Sequence, residues 1–243
     1  MSKPRMVLLH GVGLDHTMWE PAAALLRADF EVVAPDLLGH GTNVPAGRGV
    51  DLAALAADVV PHLRPGTHLV GFSLGALVAQ QLARYNGELV ASLVSVSSVC
   101  RRTEQERAAV LDRLATAASD FPASVAASLR RWYAGTEVPQ ATVEQTERTL
   151  LGNDVASYLS CYRVFATADA EIGPELSRIA VPSLAVTGEL DPGSTPGMTR
   201  RLADAVPGCR AVIVAGARHM LPVQMPHQFV DALKSFVVEA THV

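Results

Sequence analysis

Short apolar, β-branched runs alternate with helical patterns along most of this chain, and that alternation leaves few architectures open. Runs expected to form strands lie at Met6–Leu9, Phe30–Ala34, His68–Gly71, Leu89–Val96, Ser183–Thr187 and Ala211–Val214. Helical patterns fall between them near Thr17–Ala28, Leu52–Leu63, Leu74–Tyr85, Met198–Ala205 and His227–Glu239. Such alternation predicts an α/β fold with a mostly parallel sheet of about six strands and helices on both faces. Several of the runs are apolar throughout, as strands covered on both faces are. Thr195-Pro196 reads as an N-cap followed by proline in the first helical turn, and Pro226 starts the last helix in the same way.

One stretch breaks the pattern. Between about 101 and 175 no strand is expected. Helical patterns at Glu104–Ser119, Ala123–Tyr133, Thr142–Leu151 and Asp154–Ala168 are punctuated there by Pro122, Pro139 and Gly152-Asn153. This is an all-helical insertion, expected over one edge of the sheet, so residues 1–100 and 176–243 form the core unit.

Composition narrows the function classes. Hydrophobic residues make up 49% of the 243 and charged residues 18%, which suits a large buried core. A net charge of −4 argues against nucleic acid as a partner, since phosphate binding needs a dense Lys/Arg field. No apolar run approaches the roughly 18 residues of a membrane span. The apolar run Met6–Leu9 is too short for the core of a signal peptide, so a cytoplasmic protein is expected. Cys100, Cys161 and Cys209 are widely spaced, with no metal-ligand spacing, and read as free thiols.

The chemistry concentrates at Gly71-Phe72-Ser73-Leu74-Gly75, a G-x-S-x-G run at the end of a strand and the start of a helix. A turn that sharp brings side chains beside Ser73 against neighbouring backbone, and glycine removes the offending Cβ. Ser73 is thereby presented at the carboxyl end of the sheet, beside a helix N-terminus that favours negative charge. A serine hydroxyl needs a base to act as a nucleophile. Of the eight histidines, His219 lies just past the last strand, at the same edge of the sheet. His10 and His40 belong to glycine turns, while His62, His68, His227 and His242 fall on helices, a strand start or the tail. The base needs an acceptor on its other ring nitrogen. Asp191 and Glu189 both follow the strand Ser183–Thr187, and Asp36 is read as a turn-capping residue. The N–H of Val12, flanked by Gly11 and Gly13, and that of Leu74 are candidate oxyanion donors.

Together, His10-Gly11-Val12-Gly13, Asp36-Leu37-Leu38-Gly39-His40-Gly41, Gly71-Phe72-Ser73-Leu74-Gly75, Asp191 and His219 resemble the α/β-hydrolase superfamily over nearly the whole chain. The order Ser…Asp…His is that family's order. The resemblance selects Asp191, three residues after Gly188, as the acid. It also implies that the insertion 101–175 is a helical cap and that the first two of the family's usual eight strands are missing. Phe30–Ala34 is then expected at a sheet edge. Within the superfamily the chain is most similar to the 3-oxoadipate enol-lactonase-like group and small carboxylesterases.

The resemblance implies a serine hydrolase acting on a small-molecule ester or lactone through Ser73, His219 and Asp191, without metal or organic cofactor. Three alternatives stay open: a carbon–carbon bond hydrolase of ring-cleavage products, a hydroxynitrile-lyase-like enzyme, and a ligand receptor with negligible turnover. Met220, where ring-cleavage hydrolases usually carry tryptophan, weakens the first. Oligomeric state is not legible. In the cap, Arg130-Arg131-Trp132-Tyr133 and Tyr162-Arg163-Val164-Phe165 are the informative stretches. Arg130, Trp132, Arg163 and Met220 are the candidate pocket residues. An inward arginine could take a substrate carboxylate bidentately; on the other reading the arginines are solvated and the aromatic rings pack the cap.

Overall fold

A computed structural model of the protein describes residues 3–240. Six strands form one sheet: β1 (Arg5–Leu9), β2 (Glu31–Val33), β3 (Thr67–Phe72), β4 (Val90–Val96), β5 (Ser183–Gly188) and β6 (Arg210–Val214). The order across the sheet is β2-β1-β3-β4-β5-β6, and every neighbouring pair is parallel. β2 therefore lies at an edge, as expected of 30–34.

Period-two alternation divides the core into two layers. Val7, Leu9, Leu69, Leu93 and Ala185 face one side, where they meet helices α2 (Leu52–Val59), α3 (Leu74–Tyr85) and α8 (Pro196–Ala205). Met6, Leu8, Val70, Val94 and Leu184 face the other. There they meet α1 (Glu20–Leu26) and the last helix, α10 (Pro226–Ala240), which follows the short α9 (Leu221–Gln224). Thr195 caps α8, its Oγ1 accepting from the Met198 N–H at 3.3 Å.

Four helices fill the stretch between β4 and β5: α4 (Glu104–Ser119), α5 (Phe121–Tyr133), α6 (Gln140–Leu151) and α7 (Val155–Ile172). Thr103 and Glu106 close a reciprocal capping box at the start of α4, satisfying two otherwise orphaned N–H groups. α7 packs on α3 and α4, with Cys161, Val164, Ala166 and Ala168 buried in the same layer as α3. At the entry to this segment Arg102 is clasped by α7. Its guanidinium donates to Asp169 at 2.7 Å and to the carbonyls of Ala166 and Phe165. Among the described residues no helix is long and apolar enough to cross a membrane.

Candidate active site

In a parallel sheet all strands end at one edge, and the loops leaving that edge converge. Here the loops after β1, β3, β5 and β6 carry Val12, Ser73, Asp191 and His219 respectively.

Ser73 sits at φ 54° and ψ −111°, a conformation non-glycine residues rarely adopt. Such strain costs on the order of 1–3 kcal/mol and persists where surroundings over-determine it. Here the Ser73 N–H donates to the Val96 carbonyl at 2.9 Å and the Gly75 N–H to the His10 carbonyl at 3.1 Å. The turn is so tight that a Cβ on Gly71 would stand 2.1 Å from the Gly75 carbonyl oxygen, and one on Gly75 2.3 Å from that of Leu9. Only glycine fits at either place. The N–H groups of Leu74, first in α3, and Val12 have no acceptor among the described residues.

His219 is fixed from several directions. Its Nδ1 lies 2.7 Å from Asp191 Oδ2. Its backbone carbonyl accepts from Ser97 Oγ at 3.1 Å. Its ring lies between Phe72, at 4.9 Å, and Trp132 of α5, stacked at 5.5 Å and 27°. Asp191 is buried, and its other oxygen accepts from the N–H groups of Gly193 and Ser194, both at 2.9 Å. Burial works to raise this carboxyl's pKa. The charge and hydrogen bond of His219, with the Ser194 and Gly193 N–H groups, outweigh it and hold the acid below its ordinary value. Glu189 instead accepts from the Gly216 N–H at the surface.

Ser73, His219, Asp191 and Val12 border one cavity, roofed by Arg113 of α4, Ser128, Arg131 and Trp132 of α5, and Tyr158, Tyr162 and Phe165 of α7. It is narrow, with about 40 Å³ open to the centre of a water molecule. Trp132 is thus where the sequence suggested; three other pocket candidates are not. Arg130 and Arg163 are exposed on the outer faces of their helices, and Met220 is packed in the core with Ala217 and Leu221. A helix turns about 100° per residue, so the neighbour Arg131 faces inward where Arg130 cannot. Arg113 and Tyr158 were not identified from the sequence, and Phe72 and Tyr162 were named there only within longer runs, not as pocket residues. Helical periodicity marks buried positions, and the packing of helices on one another decides which of those meet the cavity.

The remaining described histidines do structural work or lie at the surface. His10 is fully buried, Nδ1 against the Gly11 carbonyl at 2.8 Å and Nε2 accepting from the Leu37 N–H at 2.9 Å. Desolvation lowers its pKa to about 4 and that of its neighbour His40 to about 3. Asp36 accepts from the N–H groups of Thr42 and His16 and from both side chains, tying its turn together. A wider groove of about 410 Å³ opens beside that turn, between it and α6. His68 bonds Ser92 within the core, and His242 lies outside the described residues. All three cysteines are free thiols. Among the described residues no three His, Cys, Asp or Glu side chains are placed to hold a metal ion.

The profile of the alpha/beta hydrolase family matches residues 6–232. The chain belongs to the alpha/beta hydrolase family. Among its relatives in that family is (E)-2-((N-methylformamido)methylene)succinate hydrolase of Acinetobacter baylyi, 27% identical over 236 residues, 96% of this chain and 89% of the relative. Pimeloyl-(acyl-carrier protein) methyl ester esterase of Aeromonas salmonicida is 30% identical over 243 residues, covering 96% and 95% of the two chains. Among solved alpha/beta hydrolases, the enol-lactonase from Burkholderia xenovorans superposes with a TM-score of 0.87 at 26% identity, over 98% of this chain and 92% of the other.

Proposed function

We propose that this alpha/beta hydrolase is a serine hydrolase that cleaves a small ester or lactone through an acyl-enzyme. The observation that carries the reading is one juxtaposition. A strained Ser73 borders the same narrow cavity as His219, whose Nδ1 is held by the buried Asp191 at 2.7 Å.

In the reaction Ser73 Oγ attacks the carbonyl carbon while His219 Nε2 takes its proton. Asp191 keeps the imidazole in the tautomer with hydrogen on Nδ1 and stabilises the imidazolium that forms. The developing oxyanion falls to the N–H groups of Val12 and Leu74. Donors already aimed at that position are worth on the order of 3 kcal/mol each to the transition state. The imidazolium returns its proton to the leaving alkoxide, which departs as the alcohol, or stays attached in a lactone. Water, deprotonated by His219, then attacks the acyl carbon and frees Ser73. The four-helix segment acts as a cap whose α5 and α7 keep solvent from the reacting atoms. The names of the relatives, a methyl ester esterase and an enol-lactonase, support the ester or lactone class.

Hydrolysis of a short chromogenic ester by wild type and Ser73→Ala tests the reading. Turnover should require Ser73. A folded Ser73→Ala protein retaining a substantial fraction of the wild-type rate would remove Ser73 as nucleophile.

A further inference from the structure

The cavity holding Ser73 carries positive charge that the protein itself does not answer. Elsewhere Arg5, Arg84, Arg102 and Arg201, buried or part-buried, each meet a carboxylate at 2.6–2.8 Å, while the part-buried Arg218 donates to the Arg131 carbonyl at 3.2 Å. Arg113 and Arg131, both on the cavity wall, meet none among the described residues. Asp191, the acid of that wall, is already committed to His219 and to the Gly193 and Ser194 N–H groups. Both arginines are part-buried, and charges withdrawn from water are ordinarily paired. Desolvation, then the charge of Arg113, push the Arg131 guanidinium below its ordinary range.

The surroundings suit an anion. Arg131 donates to Ser128 Oγ at 2.8 Å, while the Ser128 hydroxyl donates to the Ser124 carbonyl at 3.0 Å, so the guanidinium is held in one orientation. The buried Tyr158 and Tyr162 line the same wall, and their hydroxyls have no hydrogen-bond partner among the described residues. A planar guanidinium fork matches a carboxylate, which accepts two parallel N–H bonds. The arginines come from α4 and α5 in the roof, whereas Ser73 comes from the sheet edge below.

We propose that Arg113 and Arg131 form a carboxylate-binding subsite, so that the substrate is a short ester or lactone bearing a free carboxylate at the end away from the scissile carbonyl. This rests on the reading of Ser73 as nucleophile. The small cavity limits the size of the substrate, and the two arginines set its charge.

The test compares two esters of the same shape. Monomethyl glutarate carries the carboxylate; methyl 4-nitrobutanoate carries a planar, neutral nitro group in its place. Wild type should favour the carboxylate on the order of 10- to 100-fold in kcat/KM, the worth of one or two charge-assisted hydrogen bonds. Arg131→Met and Arg113→Met should each pull that ratio down by about tenfold. The ratio is internal to each protein, so partial loss of folded enzyme cancels. The exposed Arg163→Met should leave the ratio as in wild type. A wild-type ratio near one, with both turnovers abolished in Ser73→Ala, overturns the subsite and leaves the nucleophile standing. Turnover that survives in Ser73→Ala overturns the nucleophile instead. Calorimetric titration of Ser73→Ala with glutarate reads the subsite without turnover. Binding should weaken about tenfold when Arg131→Met is added, and equal binding with and without that change overturns the proposal.

Discussion

Asp191→Asn is the sharpest perturbation of the proposed machinery, because the structure dictates which way the new amide must point. Asp191 Oδ1 accepts from two backbone N–H groups at 2.9 Å, those of Gly193 and Ser194. In asparagine the amide oxygen has to stay at that position, since an NH2 there would face two donors. The NH2 is then forced toward His219 Nδ1, where Oδ2 now sits at 2.7 Å. To meet a donor, Nδ1 must give up its hydrogen, and the proton moves to Nε2. His219 then has no lone pair to take the Ser73 proton. The same change in other serine hydrolases lowers kcat by about 10,000-fold, or roughly 5.5 kcal/mol. The fold should survive: the lost charge-assisted hydrogen bond is worth about 1.5–3 kcal/mol, against about 5–15 kcal/mol for a typical domain. Steady-state ester hydrolysis, with urea unfolding to confirm the fold, measures both effects. A folded Asp191→Asn enzyme within about tenfold of the wild-type rate would refute the tautomer reasoning.

Other expectations follow from the same geometry. Gly188→Ala would place a Cβ 2.3 Å from the Ala217 carbonyl oxygen, wedging the Asp191 loop away from the His219 loop. It should cut activity on the order of a hundredfold, as misplacement by about 1 Å does, whereas Gly47→Ala, with open space around it, should match wild type in the same assay. Trp132→Ala removes the ring stacked on His219 at 5.5 Å. An aromatic pair is worth about 0.5–1.5 kcal/mol, so kcat should fall about two- to thirteenfold, with Trp132→Phe recovering most of it. Stability should also decline in acid. His10 and His40 are held neutral, with pKa values lowered to about 4 and about 3. An unfolded chain takes up protons at both sites as pH falls below about 6.5 while the folded one does not, so stability is lost from there down to about pH 4 for His10 and about pH 3 for His40. At pH 5 the loss is on the order of 2 kcal/mol per histidine. Urea unfolding at pH 7 and pH 5 measures it, and equal midpoints would show that neither ring is protected.

Much of this molecule is legible in its sequence where a single periodicity decides the outcome. The four inner strands stand out because parallel strands buried on both faces need unbroken apolar runs, and the edge strands β2 and β6 are marked by shorter β-branched runs. The helix Leu74–Tyr85 is bounded by the Ser73 turn and by Asn86. The elbow is readable because Gly71 is demanded by a backbone clash within the same turn, whereas the demand for Gly75 comes from β1, at the Leu9 carbonyl. Legibility fades where one element must be placed against another. Arg130 and Arg131 are adjacent, and a rotation of one residue decides which enters the cavity. Arg113 lies on a helix rich in exposed residues and meets the site only because α4 packs beside α5 and α7. Met220 sits next to His219 but points into the core. Phe72, between two motif residues, reads as sheet core, and its contact with the His219 ring depends on how the loop after β6 folds back.

Ser73 as nucleophile is tested most directly by covalent capture. A fluorophosphonate forms a bond to an activated serine oxygen with loss of fluoride. Mass spectrometry of the digested protein should find one phosphonyl group on the peptide containing Ser73. The adduct should be absent in Ser73→Ala and form far more slowly in Asp191→Asn. Labelling at a different residue, or undiminished ester hydrolysis by a protein fully labelled at Ser73, would contradict it.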